Sequence, residues 1–175
     1  MRLPSLNNRA FTLLELVVVM VLIALTISLA VPKISNFLYT DQLKVAVRKL
    51  VGLINESSQL ALRYQAPYLL KYIDRERRFV VEPEQREDGG NPAKNDRSLR
   101  LNESVTLKDL WSWYGGTRSP QEFVIRFNKN GYVEPTIIHL RDEGGQEMSV
   151  VLSPFLGKVQ VVGSYVTPDK DASFQ

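Results

Sequence analysis

A chain of 175 residues is long enough for one domain with its own core plus an appended element. It has no cysteine, which excludes disulfides, thiolate nucleophiles and cysteine-rich zinc sites, and its 44% apolar share excludes a disordered or polytopic chain. The net charge of +3 does not point to an acidic partner: setting aside Arg2 and Arg9 from the 22 Lys+Arg leaves 20 against 19 Asp+Glu, so nucleic acid is not an expected partner.

From Phe11 to Val31 the sequence FTLLELVVVMVLIALTISLAV carries Glu15 as its single charge. A helix of that length spans about 30 Å, the thickness of a bilayer's hydrocarbon core. The arginines before it predict a cytoplasmic N-terminus, with the remaining chain across the membrane. Two other readings compete. A buried core helix suits a shorter, interrupted run. A cleaved secretory signal would use Ser28-Leu29-Ala30, but the apolar run is too long for one and contains an acid.

A carboxylate inside such a helix costs roughly 2.5–3.5 kcal/mol on insertion scales, so it faces a partner or snorkels to the headgroups. Pro32 lacks an amide hydrogen, which makes it either a plain stop or a flexible joint.

The stretch Arg9-Ala10-Phe11-Thr12-Leu13-Leu14-Glu15 resembles the prepilin cleavage motif of type IV pilins and type II secretion pseudopilins. The resemblance implies a leader 1–10, cut between Ala10 and Phe11 by a prepilin peptidase, and N-methylation of Phe11. Glu15 would be the assembly carboxylate, pairing with the new terminus of a neighbouring subunit, and Pro32 would be the helix kink. The family places glycine before the cut. Here Ala10, the next smallest residue, stands there, and slower cleavage is the expected consequence.

Segment 11–32 is then the transmembrane half of a long helix and 33–66 its amphipathic half. In the second half Leu43, Val47, Leu50, Ile54 and Ala61 form an apolar face, Lys44, Arg48, Asn55 and Gln59 another, and Ala66-Pro67 ends the helix. A globular β domain is expected over 67–166. Tyr68–Ile73 and Phe79–Val81 read as a hairpin around 74–77, Glu82–Glu103 as a long loop, and Val105–Tyr114 as a strand with Trp111 and Trp113 on one face. Further strands are expected at Phe123–Phe127, Thr136–Arg141, Glu147–Leu152 and Lys158–Val162, with a loose tail at 167–175. The fold class is α+β, a long helix packed on an antiparallel sheet or sandwich.

The helix Ala46–Ala61, the hairpin ending in Arg78-Phe79-Val80-Val81, Phe123–Gly131, and Ser149–Pro154 followed by Gly157–Val159 are similar to the H-type minor pseudopilins and FimT-like minor pilins. That likeness implies a subunit near the tip of a secretion pseudopilus or pilus that supports protein secretion. The expected partners are the major pseudopilin or pilin, other minor pseudopilins and the inner membrane, with the C-terminal domain in the periplasm. A DNA- or ligand-binding minor pilin is the alternative, with Arg75–Arg78 as the basic run.

No catalytic motif accompanies His139, the single histidine, so an enzyme, a cofactor and a metal are not expected. The acids Asp142, Glu143 and Glu147, and separately Asp88, Asn91, Asn95 and Asp96, read as solvated turns rather than calcium ligands. Trp111, Trp113 and Tyr114 read as core, with a partner-facing patch as the alternative.

Overall fold

The computed structural model describes residues 13–85, 97–153 and 159–168, with the backbone alone for 29–41. The chain divides into two compact units, Met1–Phe37 and Leu38–Gln175. One helix, α1, runs over Leu13–Tyr64. It stops where Gln65 turns left-handed, at φ 51°, ahead of Ala66-Pro67. Within the second unit the face expected from periodicity is the buried one: Leu43, Val47, Leu50, Ile54 and Ala61 are all inside. The buried hydroxyl of Ser57, on the same helix, donates to the Leu53 carbonyl at 2.7 Å, so it brings no unsatisfied polar group into the core.

Among the described residues nine strands follow, in two antiparallel sheets. The first has the order β3-β2-β1-β6, with β1 Tyr68–Ile73, β2 Arg78–Pro83, β3 Arg97–Arg100 and β6 Val124–Phe127. The second has the order β5-β4-β7-β8-β9, with β4 Val105–Ser112, β5 Gly116–Arg118, β7 Thr136–Asp142, β8 Glu147–Leu152 and β9 Val159–Val162. One apolar cluster joins α1 to the inner faces of both sheets, from Leu50 through Phe79 and Ile125 to Leu140 and Val150. At its centre Phe79 and Phe123 meet edge-on at 5.2 Å between centroids, and Tyr72 lies 4.8 Å from Phe79.

The α+β class expected from the sequence is the one observed, with two corrections. The long loop at 82–103 contains β3, whose Leu99 pairs with Phe79 while its arginines hide the strand signal. The strand expected over Val105–Tyr114 ends at Ser112, ahead of the glycine pair 115–116. The chain reverses there, Gly116 at φ 62°, and β5 pairs back onto β4.

The register of β4 against β7 shifts between Leu107 and Asp109, where Lys108 is an extra residue. Inward positions are Val105 and Leu107 before the shift, Leu110 and Ser112 after it. Strict alternation would have sent Asp109 into the core. The bulge turns it to the outer face, directly opposite His139.

Candidate functional site

In the first unit, every large apolar side chain from Leu13 to Ile27 is 45–83% exposed, on all sides of the helix. The hydroxyl of Thr26 donates to the Ile23 carbonyl at 2.8 Å, satisfied within the helix itself. Glu15 lies in the first turn, where the exposed amides of a helix N-terminus favour negative charge. A helix apolar all round is stable only when something apolar covers it.

Among the described residues no helix is long and apolar enough to cross a membrane. The crossing expected of 11–32 falls partly outside the residues whose side chains are described, which in this segment are Leu13 to Ser28. Ala10 and Phe11 lie outside the described residues, as does the side chain of Pro32; α1 is helical through position 32. Glu15 alone of the expected site residues is described in full.

His139 is 1% exposed on the outer face of the second sheet. Its Nδ1 lies 2.5 Å from Asp109 Oδ1 and its Nε2 2.9 Å from the Val166 carbonyl oxygen. A backbone carbonyl can only accept, so Nε2 carries the hydrogen of the Val166 contact. The Tyr165 ring stacks on the imidazole at 3.9 Å, and Lys108 Nζ sits 4.2 Å from the Tyr165 centroid while pairing with Glu147 at 2.9 Å. Burial, with the Asp109 charge second, raises the Tyr165 phenol above its ordinary value, and the hydrogen bond to Glu147 raises Lys108.

Ser149 could suggest a nucleophile beside this pair, but its Oγ donates to the Ser164 carbonyl at 2.6 Å and accepts the Val166 amide at 3.1 Å. Histidine and serine together bind the segment Ser164–Val166 over the sheet, and Val166 packs there against Ile137 and Val151. The arrangement is a polar staple for the end of the chain.

The other candidate residues are spent on local structure. Arg77 takes a left-handed conformation, φ 50°, and its Nη2 lies 3.1, 2.6 and 2.7 Å from the carbonyls of Asn102, Glu103 and Val105. Arg78 pairs with Glu76 at 2.8 Å. Two of the three arginines of the basic run are thus turned to the protein. Asp142 accepts the Gln146 amide across the 142–146 turn, and Glu147 holds Lys108. Among the described residues no group of three or more acidic, histidine or cysteine side chains is placed to hold a metal. The second acidic set, 88–96, lies outside them.

The aromatic expectation divides. Trp111 packs against the Ile137–Val166 cluster, but Trp113 and Tyr114 fall beyond β4 and are 60% and 86% exposed, because the strand ends at Ser112.

Residues 5–31 match the family model described as the prokaryotic N-terminal methylation motif. No curated protein sequence matches the chain. Two solved structures of the minor pseudopilin EpsH from the type 2 secretion system of Vibrio cholerae are similar in fold. One has a TM-score of 0.55 at 13% identity, covering 72% of this chain and 99% of the other. The second has a TM-score of 0.51 at 13% identity, covering 71% and 98%.

Proposed function

We propose that this chain, type IV pilin-like in its N-terminal motif and in its fold, is a minor subunit assembling at or near the tip of a secretion pseudopilus or pilus. The observation that carries the reading is the helix Leu13–Ile27, apolar on every side, with Glu15 as its one carboxylate. Before assembly the bilayer of the inner membrane covers that surface, with the second unit in the periplasm. In the fibre the neighbouring helices cover it.

Removal of the leader by a prepilin peptidase exposes an α-ammonium at Phe11, one helical turn before Glu15, and methylation leaves that charge in place. Contact between the new terminus of one subunit and Glu15 of the next then neutralises both charges away from water, and rewards one axial register. The energy for assembly comes from a separate motor.

The test is the mass of the chain extracted from membranes together with co-assembly of Glu15→Ala. The expected results are a polypeptide starting at Phe11 with one added methyl group, and loss of the variant from sheared fibres. An intact leader, or a variant that enters fibres as the parent does, refutes the assignment.

A further inference from the structure

The edges of the two sheets, β6 and β5, flank an open groove of about 760 Å³ lined by Trp113, Tyr114, Arg118, Val124, Arg126 and Tyr132. Within its sheet each edge strand has one neighbour, β6 with β1 and β5 with β4; the other side of β6 is bridged at Phe127 to Val133, which leaves Val124–Arg126 as its open edge. The three aromatic rings and Val124 are all exposed.

The two arginines differ. Arg126 grips Glu84 through two bonds, 2.7 and 2.8 Å, which holds the Glu84 carboxyl below its ordinary value. Arg118 has no ion pair among the described residues. Its half-buried guanidinium lies over Gly115, in space that any Cβ there would occupy. The remaining charged lining group, Glu134, accepts the Tyr114 amide at 2.6 Å and is spent on holding the aromatic loop.

An exposed sheet edge offers main-chain donors and acceptors to an added strand, rigid aromatics offer contact area at small entropic cost, and a guanidinium with no ion pair among the described residues can take a carboxylate. We infer that this groove binds an extended acidic peptide segment of a partner protein, which adds to β6 as a strand and places a carboxylate on Arg118. The inference goes beyond the assembly reading and stands without it, since every residue it uses belongs to the Leu38–Gln175 unit.

The experiment presents the full chain, held in detergent micelles, with a random dodecapeptide library, and measures the selected peptides by fluorescence anisotropy. The expected peptides alternate β-branched or aromatic residues with polar ones and carry Asp or Glu at one fixed place. N-methylation of alternate backbone amides should weaken them at least tenfold, and so should Tyr114→Ala, a substitution at an exposed site. Selection with Arg118→Glu should replace the acid by Lys or Arg. Enrichment of nothing above empty micelles overturns the inference. So do peptides indifferent to N-methylation, identical peptides from both charge forms, or saturation of the groove by a second copy of the chain.

Discussion

Replacing His139 by alanine tests the staple over the second sheet. The substitution removes a donor from the Val166 carbonyl, which then stays buried and unpaired at a cost of roughly 1–3 kcal/mol. It also removes the bond to the Asp109 carboxylate, about 1.5–3 kcal/mol for a pair with a charged member, and the stacked face of Tyr165. Some of this is recovered as water reaches Asp109. The expected loss is about 3 kcal/mol, a large share of the roughly 5–15 kcal/mol that holds a domain folded.

The assay is urea unfolding of the full chain in micelles, followed by tryptophan fluorescence, with Asp109→Asn and the double variant completing a cycle. The double variant should cost about 1–2 kcal/mol less than the two singles together, because they remove one shared bond. The loss should be local as well as global. Chymotrypsin should cut after Tyr165 sooner in His139→Ala than in the parent, since Ser164–Val166 would be held by Ser149 alone. A loss under about 1 kcal/mol, with no coupling and no change at Tyr165, would refute the claim that the histidine holds this segment.

Arg77→Ala should cost about 2 kcal/mol in the same unfolding assay, from the bonds to three carbonyls, and Arg77→Gly should cost slightly less because glycine relieves the left-handed backbone. Gly131→Ala should destabilise by about 1–2 kcal/mol: residue 131 has φ 75°, and a Cβ would meet Ser58 Oγ at 2.8 Å and Leu62. The Glu84 carboxyl is held low by Arg126, so the stability it contributes is present above its unfolded value near pH 4.5 and is lost as pH falls through the lower folded value. Glu84→Gln should therefore lower the urea midpoint at pH 7 and leave it unchanged well below the folded value, where the parent is protonated too.

Legibility in the sequence followed the strength of the local signal. The second half of α1 repeats its apolar residues over about five turns, and each expected inward position is buried. Strands β7 and β8 are largely buried runs bounded by clear turns, Asp142–Gly145 among them, and lie where the turn spacing put them. By contrast, β3 is four residues long with arginine at both ends, and β5 is three residues after a glycine pair. Each is too short to show a pattern of its own and is a strand because a neighbour, β2 or β4, supplies its hydrogen bonds. The exposure of Trp113 and Tyr114 escaped for a related reason: they look like a strand's aromatic face until the end of β4 is known.

The sequence alone determined what is local or compositional: the apolar segment and its single acid, the motif around Phe11, the absence of thiol chemistry and the α+β class. These depend on periodicity, spacing and residue type, which the chain carries wherever it folds. Tertiary structure decided what depends on residues far apart in sequence meeting. A single extra residue at Lys108 turned Asp109 outward to His139, thirty positions away, and Tyr165 and Val166 closed over the pair. Two sheet edges and a stretch of aromatics came together as one groove. Such meetings are set by the register of the strands, and a one-residue shift, which leaves composition and periodicity almost untouched, reverses which face a side chain occupies.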